Sequence, residues 1–527
     1  MHPPASASGV RQHGLRAWRA AERATDAAFG SAANPLRHLG VIGFFAFWLL
    51  AASGIVLYIF LDTSVTGAYR SINALAELPL GLGNLLRGVH RYAADLMVIA
   101  MGLHLLREWL HRHERGVRRF AWLTGVPMIA LVFAIAMGGF WINWDQLGQF
   151  SAIATAELVD ALPLLSAPMA RNFLAADAVS DRLFSLFIFV HIGLPLMLLF
   201  GLWFHIQRIS LAGVWPPRAL ATGLGAMLVV LALAVPIISH APAALGQVPE
   251  TLRMDWIVLF VHPLTYATSP AVVWLLAGGG LLALFVLPFV PRRKDQAAAA
   301  PVAVVDADNC NGCRRCFADC PFAAITMVPH PNQRIGRTLA VVDADLCASC
   351  GICAGACPSS TPFRSTAQLV TGIDMPQLPI DALRHRLRQA IERSKGERPI
   401  VVFGCDHGAN AAAAQSDDLH VFSLLCSGQL PPSFVEYALR DGAAGVVVAT
   451  CREGGCEFRL GERWTAERLR GQREPHLRAS IDTAQIELVL AGTGDNSLLQ
   501  NAIDRLRQRI RSVTRVAEPP APLHDHA

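Results

Sequence analysis

Four histidines and twelve cysteines carry most of the chemistry this 527-residue chain can offer. His90 and His104 are fourteen residues apart in one apolar run, and His191 and His205 repeat the interval in another. Fourteen residues are close to four α-helical turns, so the members of each pair share a face and stand about 21 Å apart along the axis. Ionisable side chains in lipid are costly and mark function. If the two helices run parallel, His90 meets His191 at one depth and His104 meets His205 at another. Each meeting offers two imidazoles to one metal, which is what a bis-histidine haem needs, and bundles build such sites from facing helices. Gly40 and Gly54 are also fourteen apart, as are Gly125 and Gly139. Glycine permits the close backbone approach that a flat macrocycle between helices demands. No Cys-x-x-Cys-His motif is present, so attachment would be non-covalent, giving two b haems: an outer one on His90 and His191, and an inner one on His104 and His205.

None of the cysteines precedes residue 310. Cys310, Cys313, Cys316 and Cys320, followed by Pro321, are matched by Cys347, Cys350, Cys353 and Cys357, followed by Pro358. This is the spacing of bacterial two-cluster ferredoxins, in which three thiolates grip one cube and the fourth crosses to the other. The expected ligand sets are Cys310, Cys313, Cys316 and Cys357 for a first 4Fe–4S cluster, and Cys347, Cys350, Cys353 and Cys320 for a second. Zinc is the alternative for clustered thiols. Cys405, Cys426 and Cys451 sit at the carboxyl ends of expected strands, and Cys456 follows five residues later. In an open parallel sheet those ends share one edge, where ligands collect. Four thiolates there could hold a third centre, a cube or a 2Fe–2S cluster; buried structural cysteines are the alternative.

The elements that must position these groups follow from composition. Hydrophobic residues make up 53% and charged residues 16%, with mean hydropathy +0.39, whereas a soluble chain is nearer a quarter charged. The apolar excess lies in the first 290 residues. It predicts membrane helices near 39–61, 88–109, 120–141, 182–207, 219–239 and 270–291. An amphipathic helix over 15–29, with Arg16, Arg19 and Arg23, is expected to lie on the membrane surface. With the N-terminus cytoplasmic, the inner segments hold Arg11, Arg16, Arg19, Arg23, Arg37, Arg107, Arg112, Arg115, Arg118, Arg119, Arg208, Arg218, Arg292, Arg293 and Lys294. The outer loops hold only Arg70, Arg87, Arg171, Arg182 and Arg253. That bias favours a cytoplasmic N-terminus and places everything after residue 292 in the cytoplasm. The net charge of +5 comes mostly from these flanking arginines, and no basic groove argues for nucleic acid.

The expected order is an amphipathic segment (1–38), an all-α six-helix membrane bundle (39–294), a linker (295–304), an α+β dicluster ferredoxin module (305–366), a connector (367–397), a small α/β domain (398–513) and a disordered tail (514–527). Apolar runs at 399–404, 419–425, 445–450 and 486–491 read as the strands of the α/β domain.

Residues 35–290 resemble cytochrome b of the quinol–cytochrome c oxidoreductases. The run LLRGVHRYAADLMVIAMGLHLLR is similar to that family's second helix, which implies that Arg87 and Arg107 meet haem propionates. Residues 138–158 are similar to the segment lining the outer quinol site. MDWIVLF, at 254–260, stands where the family has Pro-Glu-Trp-Tyr: Asp255 and Trp256 match, Met254 and Ile257 do not. Asp255 would accept a quinol proton there, or else be a solvated interfacial acid. LLCSGQLPP and ALRDGAAGVVVATCREGGCEFRLG, within residues 398–475, resemble the delta subunit of methyl-viologen-reducing hydrogenase. That resemblance implies a 2Fe–2S cluster and electron transfer to a heterodisulfide reductase. The family's usual Cys-x-x-Cys is reduced here to Cys405 followed by Asp406-His407-Gly408.

These readings make the chain a quinone-linked oxidoreductase subunit in an inner membrane. It would pass electrons between quinone, its substrate, and a soluble cytoplasmic partner that is hydrogenase-like or heterodisulfide-reductase-like. A homodimer is implied by the cytochrome b resemblance. The rival is a redox-regulated membrane transporter or sensor with cytoplasmic iron–sulfur domains.

Overall fold

The computed structural model describes residues 9–162, 168–173, 179–247, 251–291, 301–331, 338–360, 369–394 and 398–517. Arg292, Arg293, Lys294, most of the expected linker and the expected tail beyond residue 517 lie outside them. The chain forms two compact units. One holds residues 1–207 and 212–295, the other Arg208–Leu211 and residues 296–527.

The first unit is helical: α1 (Gly9–Phe29), α2 (Leu39–Phe60), α3 (Val65–Ala74), α4 (Leu82–Leu110), α5 (Arg119–Asn143), α6 (Gln146–Asp160), α7 (Asp181–Ile206), α8 (Arg218–Ala234), α9 (Val261–Ala267) and α10 (Pro270–Val286). Four helical stretches, Leu39–Phe60, Gly116–Asn143, Asp181–Ile206 and Pro270–Phe289, are long and apolar enough to cross a membrane. They make this an integral membrane protein. The 29-residue α4 is less apolar, because Arg87, Arg91, Asp95, Arg107 and Glu108 interrupt it. α8 spans 17 residues and stops at Ala234, short of the expected 239. Pro236 explains this, since the residue before a proline is pushed out of helical geometry. Pro127 and Pro195 sit inside α5 and α7 without ending them, as membrane helices tolerate. α2 packs along α4, and α5 along α7. Ala46, Phe47, Met97, Val132 and Leu198 fill the core among them.

α1 begins at Gly9, before the expected residue 15, and it does more than present an apolar face. Trp18 is buried with Leu39 and Leu110, at the ends of α2 and α4, and Arg11 pairs with buried Glu114 at 2.9 Å.

The second unit starts with a small α+β region. β2 (Ile325–Pro329) pairs antiparallel with β3 (Thr338–Val342), and β1 (Val304–Val305) with β4 (Ile373–Asp374). Two five-residue helices, α11 (Arg315–Asp319) and α12 (Ile352–Ala356), pack against each other. After α13 (Ile380–Arg393) comes a four-stranded parallel sheet. Its strands are β5 (Ile400–Cys405), β6 (Leu419–Leu424), β7 (Gly445–Thr450) and β8 (Ile486–Leu490), in the order β6-β5-β7-β8. β5 and β7 are buried throughout, which is why they read as unbroken apolar runs. α14 (Ser433–Arg440), α15 (Gly461–Leu469) and α16 (Asn496–Ala517) complete the α/β region.

Asp319 binds the α+β and α/β regions together. Arg468, fully buried on α15, donates to the Asp319 carboxylate at 2.5 Å and to the Gly428 carbonyl at 2.8 Å. Arg473 donates to the other Asp319 oxygen at 2.6 Å, and the Trp464 indole to the Asp319 carbonyl at 3.2 Å.

Candidate functional site

In the first unit, α4 supplies His90 and His104, and α7 supplies His191 and His205. The rings of His90 and His191 face each other with centroids 6.4 Å apart. Two metal–nitrogen bonds of about 2 Å, plus the distance of about 1.2 Å from each nitrogen to its ring centre, span about that distance. His104 and His205 stand fourteen residues further along the same two helices.

The hydrogen bonds on the other ring nitrogen complete the fit. Ser53 Oγ lies 2.8 Å from His90 Nδ1 while donating its own proton to the Leu49 carbonyl. Thr124 Oγ1 lies 3.1 Å from His205 Nδ1 and donates to the Phe120 carbonyl. His191 Nδ1 faces the Ile135 carbonyl at 2.9 Å. In all three the acceptor asks for a proton on Nδ1, which leaves Nε2 with a lone pair for a metal. His104 differs: its Nδ1 stands 3.8 Å from a carboxylate oxygen of Glu108.

The four glycines each back one imidazole. An added Cβ would stand 3.4 Å from His104 Cε1 at Gly40, 3.1 Å from His90 Cε1 at Gly54, 3.1 Å from His205 Cε1 at Gly125 and 2.9 Å from His191 Cε1 at Gly139. The missing side chains make room for the imidazole rings.

Arg87 donates to Ser239 Oγ at 2.7 Å and Asn143 Oδ1 at 3.3 Å, and Arg107 to Glu108 at 3.0 Å. Asp255 is paired with Arg91, which also holds Asp95 at 2.7 Å. Asp255 caps the backbone of Ile257 and Val258 at 2.8 and 2.9 Å as well. Trp256 is exposed. Residues 138–158, read from sequence as a site-lining segment, run from the last turns of α5 (to Asn143) into α6 (from Gln146). Ser151 on α6 bridges the Trp141 indole, at 3.1 Å, and Nε2 of His262, at 2.9 Å. His262 is fully buried. Sequence reasoning passed over it, though a histidine in an apolar run is the same signal that marked the other four.

In the second unit the eight ferredoxin-spaced cysteines line two cavities. Cys310, Cys313, Cys316 and Cys357 surround one, and Cys320, Cys347, Cys350 and Cys353 the other. The sequence repeat is also a backbone repeat. Gly312 and Ser349, two residues after the first cysteine of each run, are left-handed, and so are Arg314 and Gly351, four residues after it. Successive left-handed turns wrap the chain and its amides around a centre. At Gly312 a Cβ would meet the Thr338 carbonyl at 2.4 Å. Burial pushes the Cys316 and Cys350 thiols up to about 12, so a cationic centre is what would hold them as thiolates.

The last four cysteines also converge. Cys405 ends β5, Cys451 directly follows β7, and Cys426 lies two residues past β6, so they share one sheet edge. Cys405 and Cys456 each contact both Cys426 and Cys451, closing a group of four buried sulfurs. The Cys405–Cys451 separation is 3.5 Å. Gly461 is required beside them, since a Cβ there would stand 2.1 Å from Cys426 Sγ. Glu462, also buried there, has its carboxyl pushed up to about 9 by burial and by Cys456. His407 is exposed, edge-on to Phe458 at 5.1 Å. The second cavity is the middle one: Cys353 lies on α12, which packs against α11 with Cys316, and Gly351 and Gly355 of the same stretch lie against Gln429 and Gly428, just past Cys426.

Comparison with known proteins follows the same divisions. Residues 25–213 match the model of the cytochrome b/b6/petB family, residues 309–361 that of the 4Fe–4S dicluster domain, and residues 400–514 that of the methyl-viologen-reducing hydrogenase delta subunit. A solved structure described as a hyperthermophilic respiratory Complex III is similar at 21% identity, over 48% of this chain and 74% of that one, with a TM-score of 0.38. The chain thus joins in one polypeptide a cytochrome b-like membrane segment, a 4Fe–4S dicluster segment and a segment like the delta subunit of methyl-viologen-reducing hydrogenase.

Proposed function

We propose that this chain is the quinone-linked membrane subunit of a respiratory oxidoreductase. His90 with His191 and His104 with His205 hold two b haems. Cys310, Cys313, Cys316 and Cys357 hold one 4Fe–4S cluster, and Cys320, Cys347, Cys350 and Cys353 a second. Cys405, Cys426, Cys451 and Cys456 hold a third centre, of 2Fe–2S type by the delta-subunit likeness. When bound, these groups carry electrons one at a time between membrane quinone and a soluble hydrogenase-like or heterodisulfide-reductase-like partner. The bundle crosses an inner membrane six times, with its N-terminus and iron–sulfur region cytoplasmic, following the arginine count.

The carrying observation is the facing of His90 and His191 at 6.4 Å, in a chain whose twelve cysteines gather into three groups of four. The protein's own residues prepare these sites: Ser53, Thr124 and the Ile135 carbonyl fix three imidazoles with Nε2 free, and Gly54 and Gly139 admit the outer two rings.

Asp255 is a weaker candidate for a quinol-proton acceptor than sequence alone implied, because Arg91 and two backbone amides engage its carboxylate. We keep Asp255 and Trp256 as the outer quinone site on the cytochrome b likeness. Purified membranes decide the main reading: two low-spin b-type signals, reducible by a quinol, support it. A protein without a Soret band would be the transporter or sensor instead.

A further inference from the structure

We propose that Glu108 is a positioning residue for the inner haem ligand His104, lowering the reduction potential of the site that His104 and His205 form. The inference rests on the haem reading above and concerns one side chain of α4.

Three of the four histidines present Nδ1 to a neutral acceptor: Ser53 Oγ, Thr124 Oγ1 and the Ile135 carbonyl. His104 alone presents it to a carboxylate, with Glu108 Oε1 at 3.8 Å, one turn further along the same helix. At 3.8 Å the two atoms are not hydrogen-bonded, and a small rotation of the His104 ring would bring Nδ1 within reach. The carboxylate is held where it stands. Arg107 Nη1 is 3.0 Å from Oε1, Arg118 Nη1 is 3.5 Å from Oε2, and His113 Nδ1 contacts Oε2. A carboxylate flanked by two guanidinium groups keeps its charge, and Glu108 is mostly shielded from solvent, with its side chain 17% exposed.

A carboxylate on the outer nitrogen of a metal-bound imidazole gives that ring imidazolate character and strengthens its donation to the metal. Stronger donation favours ferric over ferrous iron, so the potential falls. The effect passes through His104 itself. The arginines anchor the carboxylate through its two oxygens, Arg107 on Oε1 and Arg118 on Oε2. The outer site lacks the device, since its two Nδ1 atoms face a hydroxyl and a backbone carbonyl. Glu108 therefore makes the two sites unequal in a direction that favours electron residence at the outer one.

Optical and EPR redox titration of the full chain in its membranes tests this. Glu108→Gln should raise the reduced-to-oxidised ratio of the inner haem about tenfold at fixed ambient potential, equivalent to about 59 mV for one electron. The outer haem should not move, and Glu108→Asp, which keeps the charge, should restore part of the shift. Both haems bound with the inner midpoint unmoved would overturn the proposal. If Glu108→Gln loses the inner haem, the unaltered protein decides. Its inner haem, identified by its loss in His104→Leu, should show its near-infrared ligand-to-iron band at shorter wavelength than the outer. Coincident bands overturn the proposal. An unaltered protein with no haem signal at all would overturn the haem reading and this inference with it.

Discussion

At Gly139 an added methyl group would stand 2.9 Å from His191 Cε1, closer than real contacts allow, whereas at Gly40 the same methyl would reach His104 at an ordinary 3.4 Å. Overpacking of this kind costs about 1–3 kcal/mol when the neighbour cannot yield. Gly139→Ala should therefore lose or distort the outer haem, read as a fall of about half in the b-type absorbance, while Gly40→Ala should keep both haems. Equal tolerance at the two positions would show that the rings have slack the structure does not give them. His104→Leu should remove only the inner haem and leave the outer one reducible by quinol; unchanged spectra would remove His104 from the ligand set. The histidines, their glycines and the eight ferredoxin-spaced cysteines were legible in sequence because helical period and motif spacing encode them directly. Their partners were not. Ser53 and Thr124 reach their histidines across 37 and 81 residues of chain, and no local pattern joins them. Glu108 is the exception: four residues after His104, it shares that ring's helix face and was there to be read.

Elements show the same division between local and distant. The four parallel strands were found within a residue or two, because short β-rich apolar runs between turn residues have few other readings. The end of α8 was missed by five residues, since hydropathy runs on past Pro236 while the helix cannot. The weakly patterned α3 and α6 were not foreseen as helices; their starts are fixed by Ser64 and Asp145, whose side chains accept from Gly67 and Gly148 amides. Least legible was the joint between the α+β and α/β regions, because Arg468 and Asp319 are 149 residues apart. Removing one partner of a buried ion pair strands the other and costs about 3–5 kcal/mol. Arg468→Ala should lower the thermal midpoint of the second unit markedly, while the exposed Arg388→Ala should not. A midpoint unaffected by Arg468→Ala would mean that the two regions do not depend on this joint.

On the scale of the whole molecule, three groups of four sulfurs predict about twelve non-haem irons per chain if the third centre is a cube and about ten if it is a 2Fe–2S cluster. Cys451→Ser together with Cys456→Ser should bring the count to about eight; eight already in the unaltered protein would make the last four cysteines structural. Energy coupling follows from where the groups sit along the chain, under the proposed topology with the N-terminus and iron–sulfur region inside. The two histidine levels are about 21 Å apart in a hydrocarbon layer of about 30 Å, so an electron moved between them crosses roughly two thirds of the membrane potential. One charge across the whole is worth about 2.3 kcal/mol per 100 mV, which leaves about 1.5 kcal/mol per 100 mV for that span. With the inside negative, outward movement of an electron is assisted and inward movement opposed. The lowered inner potential attributed to Glu108 points the same way. A cytoplasmic donor of moderate potential should then reduce quinone faster in sealed, energised vesicles than after an uncoupler is added, and Glu108→Gln should blunt the assisted rate. If the uncoupler changes neither rate nor extent, quinone is reduced on the inner face, and the outer site at Asp255 and Trp256 is not the one in use.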